Sequence, residues 1–320
     1  MNTAGAMVLV AAAAVAGGGM AVKRLTPSQK TVKIVEAARA RLKPLFRDVG
    51  IAYPPSRVVL VGLKAERRLQ VHAAGPSRAF GLGETGRAPL RFVAQYPVVA
   101  ASGGPGPKLR EGDQQVPEGV YRVVHVNPES SYHVSLGLDY PNAADRSRAA
   151  ADKRTKLGGE IYIHGGAESI GCLAMGDTAA EDLFTLVRDT GRGNIKVILA
   201  PANLRDRPET ATAITGTGTD TTTGTAVSAV MVAATIRAAV TGRPAPPPWT
   251  VDLYHDIRAE LAAMPEVPGP GRRVVAYPDA RRAFGTVTAS TSSSLPSITI
   301  DLRPKRDTAS TTETTSTAKP

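Results

Sequence analysis

The chain has 320 residues, 42% hydrophobic and 4% aromatic, with 31 glycines, 25 prolines and a net charge of +11. That length accommodates a sizeable core, and the raised glycine and proline content indicates one folded body carrying loop-rich or low-complexity additions. The charge favours anionic partners, while a single cysteine excludes an intrachain disulfide framework and any multi-cysteine metal site.

The first segment, 1–22, carries no charged side chain, and its core "MVLVAAAAVA" has the length of a signal h-region followed by a small-x-small site at Ala14-Val15-Ala16. It reads as a signal peptide or membrane anchor, which predicts an exported or anchored protein of the cell envelope or periplasm. Residues 23–56 read as a helix and a linker. Thr26-Pro27 suits a helix start, Val35, Ala38, Leu42 and Leu45 fall at helical spacing, Pro44 should kink or end the helix, and "AYPPS" links onward.

A mainly β body is predicted over 57–201. Stretches at 57–63, 67–73, 90–100, 119–126, 131–140, 160–164 and 194–200 are rich in β-branched and aromatic residues and are separated by Gly/Pro clusters. A few short helices are expected outside this core. One follows Asp177, with Thr178 and Glu181 as a capping box, an apolar face of Ala180, Leu183, Phe184 and Val187, and Gly191 as its stop. Residues 202–248 read as a Thr/Ala-rich low-complexity insert, disordered or partly helical. Residues 249–285 read as a C-terminal helical extension, with Trp249 and Tyr254 stapled around Thr250. Residues 286–320 read as a disordered Ser/Thr-rich tail.

The only cysteine, Cys172, lies in "IYIHGGAESIGCLAMGD", eight residues after His164. A thiol attacks as the thiolate and needs a partner near neutral pH; a histidine can serve, provided something orients it. Gly165-Gly166 lets the chain fold back so that a turn carbonyl takes the Nδ1 proton, and Gly171 lets the N–H groups of residues 171 and 172 face a developing oxyanion. On spacing alone Cys172 reads equally as a small buried hydrophobe, and His164 as a structural strand end. The other histidines fit no metal-ligand spacing, and no basic run with interleaved aromatics points to nucleic acid.

Two motifs carry a resemblance. His164-Gly165, a short loop and Ser169-Ile170-Gly171-Cys172 resemble the signature of the L,D-transpeptidase catalytic domain family (YkuD-type), and "VPEGVY" at 116–121 is similar to its second landmark. The resemblance implies an L,D-transpeptidase-type β-sandwich or open barrel. It implies Cys172 as acyl-accepting nucleophile, His164 as base, the Gly165 carbonyl as orienter, and oxyanion support from Gly171 and Cys172. Peptidoglycan stem tetrapeptides would be the partner, cut at the L,D bond, with the acyl group passed to an amine on a peptide or wall-attached protein and no cofactor or metal.

Ser169 is either a hydrogen-bonding neighbour of the thiolate or a turn residue. Lys108, Arg110 and Tyr132 are candidate substrate contacts. The sequence departs from the family pattern in having Ile170 where a second histidine is usual, Ala174 where a polar residue is usual, and a short His–Cys loop. The short version resembles a subgroup with hydrolytic members, so an L,D-specific hydrolase is the alternative acceptor chemistry. A non-catalytic cell-wall-binding module is the alternative from another class.

Overall fold

The computed structural model describes residues 29–76, 88–205, 226–265, 267 and 275. The signal or anchor segment, the Thr26-Pro27 helix start, the threonine-rich 210–225 stretch and the 286–320 tail lie outside the described residues.

The expected mainly β body is present. Helix α1 (Gln29–Arg47) precedes strands β1 (Arg57–Leu63), β2 (Arg68–Ala74), β3 (Arg91–Pro97), β4 (Ala100–Ala101), β5 (Gly119–Ser130) and β6 (His133–Leu138). Then come α2 (Ala143–Ala151), β7 (Tyr162–His164), β8 (Leu173–Ala174), α3 (Asp177–Thr190), a short 3₁₀ turn, and β9 (Ile195–Ala200). Helices α4 (Ala226–Thr241) and α5 (Thr250–Ala262) complete the described part. The strands form one mixed sheet of nine, in the order β3-β2-β1-β9-β5-β6-β7-β8-β4. Its two end strands, β3 and β4, are separated by only Val98 and Val99 in the chain, so the sheet must curl round to bring its edges together.

Alternation along β1 and β9 shows why these strands are apolar throughout. Val58, Leu60, Val197 and Leu199 enter one core with α1 and α3, while Val59, Val61, Ile198 and Ala200 enter a second core with Val227, Val230, Leu253, Tyr254 and Ile257. A strand buried on both faces loses the polar face that a half-exposed strand would show. The C-terminal helices α4 and α5 therefore cover one face of the same sheet whose other face is covered by α1 and α3. Arg39 grips Asp189 through two hydrogen bonds of 2.8 and 2.7 Å, and Arg41 bonds Asp182 and Glu181, fastening α1 to α3.

Three local expectations are corrected. Pro44 does not end α1, which continues to Arg47. The proline withholds a donor only from the carbonyl of Ala40, on the exposed face where water can serve, while Leu42 and Phe46 keep the buried face continuous. Thr178 and Glu181 form no capping box: α3 begins at Asp177 after Gly176, with no side-chain cap, and Glu181 is engaged by Arg41 and His133. Trp249 and Tyr254 form no staple around Thr250, because Trp249 itself is the cap; its indole donates to Asp152, and Tyr254 donates to Glu118.

Candidate active site

His164 closes β7, which runs parallel to β8 with Ile163 opposite Leu173 and His164 opposite Ala174. Continuing that register sets Cys172 beside Tyr162, whose N–H lies 3.4 Å from Sγ. Cys172 thus stands immediately before β8, its thiol against the backbone of the strand that ends in His164, two residues from that histidine. The sheet thus brings together two residues that the motif only suggested.

The turn after His164 is built around close approach. Gly165 donates to the carbonyls of Tyr132 and Val134 at 3.1 and 3.2 Å, and Met175 N–H returns to the His164 carbonyl at 2.8 Å. A Cβ on Gly165 would stand 2.6 Å from Asp177 Oδ1 and 2.8 Å from the Tyr132 carbonyl oxygen, so only glycine fits. Gly166 adopts φ +71° and donates to Asp177 Oδ1 at 2.9 Å. Asp177, to which the sequence reading gave no role, is therefore a clamp on the turn after His164.

His164 Nδ1 lies 2.6 Å from the Gly165 carbonyl oxygen. That acceptor requires the proton on Nδ1 and leaves Nε2 with its lone pair, the tautomer a base needs. The imidazole is buried; burial pushes its pKa below the ordinary histidine value, and the Gly165 bond opposes this. The Tyr132 ring lies over it, with centroids 4.6 Å apart at 39°. Tyr132 thus reaches the site as a cover on the base, half of it open to solvent.

Cys172 is half-buried. Burial pushes its thiol pKa up, while the Tyr162 N–H and the positive charge of Lys108 pull it down. Its S–H is aimed at the Glu160 carbonyl, 3.6 Å away. Among the described residues no hydrogen bond joins Sγ to His164. With burial raising the thiol pKa and lowering that of the imidazole, both groups favour their neutral forms.

Ser169 proves to be a loop fastener. Its Oγ donates to the Cys172 carbonyl at 2.6 Å and accepts from Ser102 N–H at 3.1 Å. Gly171, at φ +134°, has its N–H 3.4 Å from the same Oγ, a long contact that a better acceptor can displace. Ile170, where the family pattern has histidine, is 79% exposed.

Lys108 is not available to a ligand: its side chain is buried in an ion pair with Asp113 at 2.6 Å and bonds the Arg110 carbonyl at 2.9 Å. It acts on the thiol as a fixed charge. Arg110 is exposed and lines a neighbouring cleft instead. Two groups the sequence did not single out hold the 103–118 loop that walls the site. Lys64 and Glu118 form a buried pair at 2.8 Å, and Glu118 also accepts from Gly106 N–H and Tyr254.

A cysteine just before β8 and an oriented histidine at the end of β7 make a candidate cysteine acyl-transfer site. Residues 86–227 match the family model of the L,D-transpeptidase catalytic domain (YkuD), a segment that contains β3 to β9 and both residues. The resemblance drawn from the two motifs is thus found at the level of the family. The chain is 34% identical over 121 residues to the "Putative L,D-transpeptidase YafK" of Escherichia coli strain K12, an alignment covering 36% of this chain and 47% of that protein. The same protein from Escherichia coli O157:H7 matches equally. The chain spans about half the length of the curated relatives it matches.

Among solved structures, the helical cell shape determining protein Pgp2 from Campylobacter jejuni is 16% identical, with a TM-score of 0.36, 69% of this chain and 77% of that one being covered. Bd1075 of Bdellovibrio bacteriovorus is 18% identical, with a TM-score of 0.30, covering 46% of this chain and 48% of that one.

Proposed function

We propose that this protein is a cell-envelope cysteine acyltransferase that acts on peptidoglycan stem tetrapeptides at the L,D bond preceding the terminal D-Ala. The observation that carries the reading is the Cys172 thiol held against Tyr162 N–H, two residues from a His164 whose Nδ1 is fixed on the Gly165 carbonyl, inside the segment matched by the family model. Residues 57–201 would form the catalytic body and 1–22 the export or anchoring segment.

The chemistry follows from the resting state. With the thiol pKa held up and the histidine pKa held down, the pair does not rest as an ion pair. As Sγ adds to the substrate carbonyl, its proton passes to His164 Nε2, so general-base transfer accompanies attack. The oxyanion is received by the N–H groups of Cys172 and Gly171, the latter exchanging its long contact with Ser169. Collapse breaks the bond to D-Ala, whose amine takes the proton from His164, leaving a thioester on Cys172. An amine of a second peptide or wall-attached protein then attacks, His164 accepts its proton, and the thiolate leaves and is reprotonated. No cofactor takes part. Water in place of the amine gives the hydrolase.

The thiol turned toward Glu160 also suits a wall-binding module with an inert cysteine. Mass spectrometry of products from disaccharide-tetrapeptide separates these readings. D-Ala release with a cross-linked dimer, absent in Cys172→Ala, supports the transferase. Release without dimer supports the hydrolase. No release supports the binding module.

A further inference from the structure

Beside the catalytic face, the 105–115 loop, α4 and the segment that follows it enclose a cleft of about 220 Å³. Three guanidinium-bearing residues line it: Arg110, Arg237 and Arg243. Among the described residues the only carboxylate in its lining is Asp113, and both of its oxygens are occupied. Oδ1 accepts from Lys108 and Gln115 N–H, and Oδ2 accepts from the N–H groups of Leu109 and Arg110.

Arg237 is half-buried and rests directly on the backbone at Gly104, where any Cβ would collide with its guanidinium. Among the described residues neither Arg237 nor Arg243 meets a carboxylate; Arg243 bonds only the neutral Gln115 Oε1, at 3.1 Å. Burial and the nearby Arg243 push the Arg237 pKa down, so the pocket disfavours its own charge until an anion enters. A half-buried cation beside a second one is favourable ground for an anionic ligand.

Much of the remaining lining is apolar, with prolines at 105, 107, 244 and 246, Leu109, Ala234 and Ala238, beside the neutral amides Gln114 and Gln115. Guanidiniums set in apolar walls suit an anionic group carried on a small organic body better than a free inorganic ion. The cleft also shares a wall with the catalytic site. The Gln115 side chain lines the cleft and bonds Arg243, while its carbonyl oxygen is 3.6 Å from where a Cβ of Gly171 would stand.

We propose that this cleft is a subsite for a peptide carboxylate, clamped by Arg237 and Arg243, through which a peptide lying against Cys172 is anchored. The assignment rests on the acyl-transfer reading for the identity of the peptide, not for the existence of the site.

The test uses the full chain carrying Cys172→Ala, so that binding is read without turnover. Calorimetry gives the Kd of disaccharide-tetrapeptide, of the same compound with its carboxylates amidated, and of inorganic phosphate. Adding Arg237→Gln and Arg243→Gln together is expected to weaken the acidic peptide about 10- to 100-fold and the amidated one hardly at all. Arg243→Gln alone, at an exposed position, is expected to show part of the loss with an unchanged melting curve. Equal Kd values with and without the arginines, or equal loss for the amidated peptide, overturn the proposal. So does phosphate binding as tightly as the peptide, which would make the cleft a general oxyanion site. Arginine-dependent binding in a chain whose wild-type form gives no turnover would retain the cleft and remove the acyl-transfer reading. Turnover whose KM ignores both arginines would do the reverse.

Discussion

Replacing Glu118 with leucine should be among the most damaging single changes in this protein. The Lys64 ammonium is 4% exposed and the Glu118 carboxylate 0%, and they meet at 2.8 Å. Among the described residues Lys64 otherwise meets the carbonyls of Val116 and Gly106, at 2.9 and 3.3 Å. Deleting the carboxylate strands a buried cation and leaves Tyr254 and Gly106 without their acceptor. Breaking a buried pair from one side costs about 3–5 kcal/mol. For a domain of this size that corresponds to a fall in Tm of roughly 6–20 °C.

The pH dependence has a definite sign. Burial already lowers the Lys64 pKa and Glu118 opposes this; without Glu118 it falls further. The unfolded chain then holds a proton that the native state gives up, so the variant gains stability as pH rises, up to the unfolded lysine pKa of about 10.4. Urea unfolding of wild type and variant at pH 7 and pH 9 measures both effects. Lys64→Met added to Glu118→Leu should restore most of the loss, because an apolar pair costs no desolvation. A loss under about 1 kcal/mol, or no extra gain with pH in the single variant, would refute the reasoning.

His72 is fully buried on β2, and burial, with help from Arg205, holds its pKa down to about 3. Between the unfolded value of about 6.5 and that limit, stability falls with pH by about 1.4 kcal/mol per unit. His72→Leu should therefore lose about 2 kcal/mol less than wild type between pH 7 and pH 5 in urea unfolding, and equal losses would contradict this. Gly165→Ala should cost about 1–3 kcal/mol and most turnover, because the methyl group meets Asp177 and the Tyr132 carbonyl and displaces the orienter of His164. The alkylation rate of Cys172 by iodoacetamide should still be climbing above pH ~8.5, the ordinary thiol pKa, since burial raises it. A plateau by neutral pH would show a preformed ion pair instead.

Much of the strand layout was legible because β1, β2, β3, β5, β6, β7 and β9 are long or rich enough in β-branched residues to announce themselves. Strand β8 has two residues, Leu173–Ala174, and no local pattern marks so short a piece. It exists because β7 and β4 hold it on either side, yet its pairing with β7 is what brings Cys172 alongside the strand that ends in His164. Helix ends were read less well, since tertiary partners outbid local capping: Arg41 and His133 take Glu181, and Asp152 takes Trp249.

The catalytic candidates lie within nine residues of one another, so the motif exposed them. Lys108 was misjudged because its partner Asp113 lies in the same loop and buries it. Arg237 and Arg243 were invisible as a site because what they face, Gly104 and Gln115, lies more than a hundred residues away along the chain. The clamp by Asp177 was hidden because the N–H it accepts, that of Gly166, lies eleven residues back across a turn that no local pattern describes.

Acylation of Cys172 is read by intact-protein mass spectrometry after acid quench of the chain with disaccharide-tetrapeptide. The expected adduct equals the substrate less D-Ala, is located on the peptide containing Cys172, is cleaved by hydroxylamine, and is missing from Cys172→Ala. D-Ala release that continues in Cys172→Ala, or an adduct on any other residue, would contradict it.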